Sequence, residues 1–230
     1  MVLVDHAGVY TAEPLDLALI ERLRTVTEQA TKAFEGFDYA AALQVIEESF
    51  WQFCDHYVEL VKLRSYSDDD TPGRRSALAA LGLGLNTYLR LLAPFMPYVT
   101  EEVWSWSFAG EDRAKSVHTS AWPTAAEFEV VPRPEVESTF EAAVEVMTKI
   151  RGAKTIAQKS LRWPVATLEI VGPESGRTAL APVVDDILRA GNVVDGGLAL
   201  ADGDAPENER FAITIVLGDD AENNGERVKG

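Results

Sequence analysis

The stretch that most constrains the fold is residues 50–64, FWQFCDHYVELVKLR, which continues a helix predicted from Asp38 to about Ser65. Two stripes run along this helix at three- and four-residue spacing. The apolar stripe is Leu43, Ile46, Phe50, Phe53, Tyr57 and Leu60/Val61, and the polar stripe is Trp51, Asp55, Glu59 and Lys62. Because so apolar a face must be buried against other elements, the sequence predicts a helical bundle.

Three further segments within residues 1–107 have the same periodicity. They are residues 13–37, residues 72–93 and the shorter segment 97–106, and each has a proline in its first turn. Short loops join them, so we predict an up-down bundle over residues 1–107.

The third of these four helices contains two glycines, Gly82 and Gly84. They are better explained by the close approach of a neighbouring helix than by phosphate binding, because no strand precedes them. The predicted buried stripe of this helix is Leu78, Leu81, Leu85, Tyr88 and Leu92.

The pattern changes after the bundle. Residues 108–134 contain Gly110 and three prolines, which predicts a connector, and Trp122 is its predicted anchor. Residues 135–230 are predicted to form a small α+β module with a mostly antiparallel sheet. Its elements are a helix over 135–158, a strand over 165–171, a helix over 182–191 and strands over 193–200 and 211–217. The predicted fold class is therefore mainly α.

Composition narrows the function classes. The formal net charge of −16 argues against a general nucleic-acid binder, which is usually basic. No apolar run is long enough for a membrane span. The single cysteine, Cys54, excludes an internal disulfide and is interpreted as a small buried side chain rather than a reactive thiol. We expect a cytoplasmic protein.

The chain has no recognisable catalytic motif. His6, His56 and His118 lie far apart and lack metal-ligand spacing, and there is neither a phosphate-binding loop nor a nucleophile elbow. We therefore assign no catalytic residue, no metal site and no cofactor.

Two surfaces remain as candidate interaction sites. The polar stripe is either a helix–helix seam of paired charges or a surface that positions a partner. The basic segment, residues 149–163, has five cations and no acid. Those cations could neutralise phosphates while Trp163 stacks on a base, or they could simply suit a helix C-terminus. Spacing alone does not decide between these interpretations.

Three stretches, in order, resemble the region that follows the catalytic domain in class I aminoacyl-tRNA synthetases, and are most similar to the valyl enzymes. They are WQFCDHYVELVKLRSY, LLAPFMPYVTEEVWSW and SVHTSAWP. The resemblance is strong over about residues 10–123 and looser over KIRGAKTIAQKSLRWPV.

The resemblance implies an anticodon-binding helical domain followed by a small C-terminal module, with a role in protein synthesis. The family's catalytic signatures, H-I-G-H and K-M-S-K-S, do not occur here. The chain is thus expected to be a non-catalytic C-terminal part of an ATP-dependent valine–tRNA ligase, and Met1 is not the parent's start. The implied partners are tRNA for valine and the catalytic domain of the same polypeptide, in a monomer.

Carried to this sequence, the family's helix motif falls on Trp51, Asp55, Tyr57, Glu59 and Lys62, with Tyr57 in the core. Charge placement then predicts the RNA contacts. The first group is Lys62, Arg64, Arg74 and Arg75, and the second is Lys149, Arg151, Lys154, Lys159 and Arg162. Trp51 and Trp163 are predicted stacking platforms.

Two other interpretations stay open. The chain could be the corresponding region of an isoleucyl or leucyl enzyme. It could also be an acidic helical protein-interaction domain without an RNA role, which the charge of −16 would favour.

Overall fold

A computed structural model describes residues 13–110 and 114–219, together with the backbone of 4–5 and 8–9. The chain divides into two compact units. One comprises residues 1–58 and 64–135, and the other comprises residues 59–63 and 136–230. The prediction of a mainly α fold with a small α+β part is confirmed.

The first unit is a helical bundle. A two-residue antiparallel pair, β1 and β2, precedes it. Its strands and helices are β1 Val4–Asp5, β2 Gly8–Val9, α1 Pro14–Glu35, α2 Tyr39–Gln52, the two ends of α3 Val58–Ser65, α4 Pro72–Leu92 and α5 Pro97–Ser107; residues 59–63 of α3 belong to the second unit. The starts of α2 and α4 are capped: the Asp38 carboxylate accepts a hydrogen bond from the Ala41 N–H, and the Thr71 hydroxyl accepts one from the Arg74 N–H.

The long helix predicted from Asp38 to Ser65 is interrupted by a π-helical turn. The turn covers Phe53–Tyr57, between α2 and α3, and the Val58 N–H bonds to the Phe53 carbonyl. Both aromatic rings of the turn are buried and stack on each other with centroids 5.7 Å apart. One extra residue in a turn shifts everything that follows around the helix axis, and period counting alone did not reveal the shift.

The buried face of α4 differs from its predicted stripe. Leu78, predicted to be buried, is 42% exposed, while the small residues Ala77, Ala80 and Gly84 face inward. A Cβ atom at Gly84 would lie 2.7 Å from a ring carbon of Phe53. The explanation of Gly84 by close approach of a neighbouring helix is confirmed, and small side chains bring α4 near its neighbour.

We expect Gly84→Ala to lower the free energy of unfolding of the bundle by about 1–2 kcal/mol, because overpacking outweighs the gain in helix propensity. The matched control is Gly152→Ala in α6 (Thr139–Ile156), where an added Cβ meets nothing within 4 Å. That change should stabilise its unit by about 0.5–1 kcal/mol. Urea unfolding of both variants is the measurement, and equal stabilisation by both would refute the close-contact argument.

The connector is held by aromatic side chains. Trp122 donates its indole N–H to the Thr31 hydroxyl at 2.9 Å, and its ring meets the Phe34 ring edge-on at 4.9 Å. Its predicted role as anchor is confirmed. Phe128 is a second anchor that we did not predict: its side chain is fully buried, and its carbonyl accepts a hydrogen bond of 2.9 Å from Arg24.

The second unit is a small sheet with helices. Its elements are α6, β3 Val165–Gly172, α7 Glu174–Leu180, α8 Val184–Gly191, β4 Leu198–Asp202 and β5 Ala212–Leu217. The strand order is β4-β3-β5, with β3 parallel to β4 and antiparallel to β5. The sheet is therefore mixed. Helix α7 was not predicted, because it is too short to show a clear apolar period.

Within the part of the chain that the structure describes, no helix has both the length and the apolar character needed to span a membrane.

Candidate nucleic-acid interface

Arg64 belongs to an internal polar network rather than to the surface. Its guanidinium forms two bonds of 2.9 Å with the carboxylate of Asp16, a residue that is 0% exposed. The same carboxylate accepts hydrogen bonds from the hydroxyls of Tyr57 at 2.8 Å and Ser76 at 2.6 Å. A third contact of Arg64 is the Gly73 carbonyl at 2.9 Å. The network joins α1, α4 and the long helix.

This geometry corrects the assignment of Arg64 as an RNA contact, since its donors are occupied inside the bundle. Tyr57 lies in the core, as the family motif implied. Asp16 was overlooked, although an acid between leucines in the run PLDLAL is a recognisable sign of a buried, paired carboxylate.

The other cations predicted at this end of the bundle are mostly paired. Lys62 lies 3.2 Å from Glu59 on the surface. Arg75 contacts the Asp70 carboxylate at 3.0 Å and the Asp70 carbonyl at 3.0 Å. Arg74 is half-buried, and its Nε is buried without a hydrogen-bond partner among the described residues. The positive charge here is largely balanced by neighbouring acids.

The polar stripe lies on the surface. Trp51 is 54% exposed and its indole N–H points to Glu47 at 3.4 Å, while Asp55 is also exposed. A buried seam that holds the bundle together is therefore the wrong interpretation of these two residues. Several other exposed rings on the bundle offer a face on which a base could stack, and their residue types alone do not distinguish them from core aromatics in the sequence. They are Phe37, Tyr39, Tyr66, Tyr98 and Trp106.

In the basic segment, two of the five cations make contacts within the protein. Lys149 pairs with Glu209 at 2.6 Å. Lys154 is only 1% exposed, and its amine donates to the carbonyls of Leu161 at 2.8 Å and Gly191 at 2.7 Å. Burial, and then the charge of Arg151, lowers the pKa of Lys154 to about 8. Lys154 is thus assigned an internal role instead of the predicted RNA contact.

The remaining residues of this segment lie nearer the surface. The ammonium group of Lys159 sits 3.8 Å above the centre of the Trp163 ring, and the Trp163 indole N–H donates to the Gly218 carbonyl at 2.9 Å. Arg151 is half-buried and Arg162 is exposed. Because one face of Trp163 is covered by a lysine, only its other face could serve as the predicted stacking platform.

Within residues 13–110 and 114–219, the groups that could add chemistry to these surfaces are metal-ligating side chains and the single cysteine. Among the described residues there is no group of three or more histidine, cysteine or acidic side chains placed to hold a metal ion. Burial, and then the charge of Asp55, raises the pKa of the Cys54 thiol. Both effects disfavour the thiolate, in keeping with the prediction that this cysteine is not a reactive thiol, but its side chain is half-buried and not fully buried as predicted.

Comparison with known proteins places this architecture in a family. A family model described as the anticodon-binding domain of tRNA ligase matches residues 16–170. A valine–tRNA ligase of Bifidobacterium longum subsp. infantis is 41% identical over 229 residues, covering 90% of this chain and 24% of that protein. One from Salinispora tropica is 42% identical over 215 residues, covering 87% and 24%.

A valine–tRNA ligase of Leifsonia xyli subsp. xyli is 39% identical over 206 residues, covering 86% of this chain and 23% of that protein. The chain spans about a quarter of the length of these curated relatives. The family-model match covers the bundle from α1 onward, the connector, and the second unit as far as β3. This chain belongs to the family of tRNA ligases that carry this anticodon-binding domain.

Proposed function

We propose that this chain binds the anticodon stem-loop of a valine tRNA, as the anticodon-binding part of a valine–tRNA ligase. The observation that carries the proposal is the family match over residues 16–170, supported by the valine–tRNA ligases that align over most of the chain. Exposed aromatic rings on the bundle suit this role, because unpaired bases are bound largely by stacking. Stacking also needs fewer cations than backbone binding, which fits a net charge of −16.

Within this proposal the chain supplies binding and not chemistry. The signatures H-I-G-H and K-M-S-K-S do not occur in it, so we assign activation of valine and use of ATP to another part of the same polypeptide. The chain itself is proposed to need no cofactor. We further propose a monomeric, cytoplasmic parent enzyme that acts in protein synthesis.

The direct test is binding of the chain to an in-vitro-transcribed tRNA with a valine anticodon, measured by fluorescence anisotropy at low salt. We expect saturable binding that weakens as salt rises. A tRNA of the same body with its anticodon changed to that for isoleucine or leucine should bind more weakly. Preference for the changed anticodon would indicate an isoleucyl- or leucyl-type region, and absence of binding to any tRNA at low salt would refute the proposal.

A double substitution, Arg74→Glu with Arg75→Glu, tests the predicted contact at the start of α4. If these cations face RNA, the two charge reversals should lower affinity for the valine tRNA about tenfold or more. Unchanged affinity would remove this end of the bundle from the interface while leaving the tRNA-binding function in place.

A further inference from the structure

The loop between α6 and β3, residues 157–164, combines exposure with positive charge. No acidic residue occurs in the sequence from Lys149 to Arg162. Arg162 is exposed on the loop and Arg151 is half-buried on the preceding helix. Within residues 13–110 and 114–219, no acidic side chain forms an ion pair with either arginine. In a chain of net charge −16, this is a place where a polyanion can approach.

The backbone of the loop is fixed where it leaves α6. Gln158 adopts a left-handed conformation with φ of 55°. Its N–H bonds to the Thr155 carbonyl at 3.0 Å, and the Lys159 N–H bonds to the Lys154 carbonyl at 2.8 Å. This pair of bonds is the Schellman arrangement, which ends a helix and turns the chain sharply.

Side chains fix the rest of the loop. The buried amine of Lys154 holds the Leu161 carbonyl at 2.8 Å, and the side-chain amide of Asn192 holds the Arg162 carbonyl at 2.7 Å. The Trp163 indole anchors the end of the loop to Gly218. A surface that is already ordered loses little conformational entropy when it binds.

The side chains exposed at this loop include apolar and basic ones, beside the neutral polar Gln158 and Ser160. Ile156, at the end of α6, is 87% exposed and Leu161 is 61% exposed, next to the exposed Arg162. These two side chains supply apolar surface beside the basic one, which is the combination that a ribose and its phosphate require. The guanidinium of arginine matches a phosphate group with two parallel hydrogen bonds.

We propose that the α6–β3 loop is a preformed contact for the sugar–phosphate backbone of tRNA. Arg162 binds a phosphate, Arg151 adds positive charge, and Ile156 and Leu161 pack against ribose. Lys154 and Asn192 are positioning residues that hold the loop and do not touch the RNA. This inference rests on the proposed tRNA-binding function and adds a second surface to it.

The test measures the affinity of the full chain for the valine tRNA transcript at several KCl concentrations. Arg162→Gln should lower affinity about fivefold at low salt and reduce the slope of log affinity against log salt by about 1, since one phosphate contact is lost. The matched control is Arg177→Gln: Arg177 is already paired with Asp202 at 2.9 Å in the same unit. It should change neither quantity.

A residue that only positions the loop, such as Asn192, should affect affinity without changing its salt dependence, in contrast to Arg162. Asn192→Gly removes the amide that holds the loop, and glycine tolerates the left-handed backbone at this position, where φ is 52°. Affinity should fall about two- to threefold with an unchanged salt slope, because the cations remain. Circular dichroism of each variant checks that the chain stays folded.

The outcomes separate the two proposals. If the wild-type chain binds the transcript and Arg162→Gln changes neither affinity nor slope, the loop contact is refuted and the tRNA-binding function stands. If the wild-type chain does not bind at any salt concentration, both are refuted. A slope reduced by Arg162→Gln but not by Arg177→Gln supports the loop contact.

Discussion

Replacing Asp16 by alanine is expected to lower the free energy of unfolding of the helical bundle by about 3–5 kcal/mol. The carboxylate is 0% exposed and accepts bonds from Arg64, Tyr57 and Ser76. Its removal leaves a largely buried guanidinium without its counter-charge, and the cost of that uncompensated charge dominates. Urea unfolding followed by NMR signals of bundle residues is the measurement.

Two controls sharpen this prediction. Glu59→Ala removes an exposed partner of Lys62 and should cost less than about 1 kcal/mol, as solvent-screened pairs do. Asp16→Ala combined with Arg64→Met should be less harmful than the sum of the two single changes, because no charge is then left buried. If Asp16→Ala costs no more than Glu59→Ala, the network does not stabilise the bundle.

The second large effect is a dependence of stability on pH in the α+β unit. The pKa of Lys154 is about 8 in the folded chain, against an ordinary value of 10.5. Between these values the unfolded chain binds more protons than the folded one, so stability rises with pH through this window. Below about pH 8 both states carry the proton and the dependence vanishes. The rise should approach roughly 2–3 kcal/mol across the window.

The geometry explains why the neutral amine suits this site. An uncharged lysine has two N–H groups, and the structure offers two carbonyl acceptors, those of Leu161 and Gly191. Every donor is then satisfied without burying a charge. The neutral form is therefore compatible with a fully bonded interior.

The measurement is urea unfolding between about pH 7 and pH 10, followed by NMR signals of Leu168 and Ile170 in β3. Lys154→Met should abolish the rise in stability, whereas Lys149→Met, which removes an exposed pair with Glu209, should retain it. The series stops at about pH 10 because burial raises the pKa of Tyr88 above its ordinary value of 10. At higher pH the unfolded chain would lose the tyrosine proton while the folded chain kept it, and stability would fall for a reason unrelated to Lys154. If the free energy of unfolding of the wild-type chain changes with pH in parallel with that of Lys154→Met, Lys154 is not the source of the pH dependence.

Sequence patterns predicted the elements of the fold well where one period dominated. The helical period predicted over residues 13–37 is confirmed, because Leu15, Leu19 and Leu23 of α1 are buried at that spacing, and the strand predicted over 165–171 is β3. Such segments bury one face only, so spacing identifies that face. The π turn at Phe53–Tyr57 escaped prediction because it adds a residue without changing composition.

The candidate site was less predictable than the fold. Sequence spacing grouped Arg64 and Lys154 with the exposed cations, because the residue type alone does not show whether a lysine or arginine is buried and paired in the fold. Which lysine or arginine turns inward depends on acceptors far along the chain: Asp16 for Arg64, and Gly191 for Lys154. These contacts are made by the tertiary structure and have no local signature.

The order of strands in the small sheet also bears on how the chain is made. Its central strand, β3, is flanked by β4 and β5, and both come later in the chain. During synthesis β3 therefore emerges with both edges open, two helices before its first partner. Glu169 stands exposed between the buried Leu168 and Ile170, and a charge at this point hinders pairing between nascent chains. We expect this one acidic side chain to disfavour aggregation in the interval before the sheet is complete.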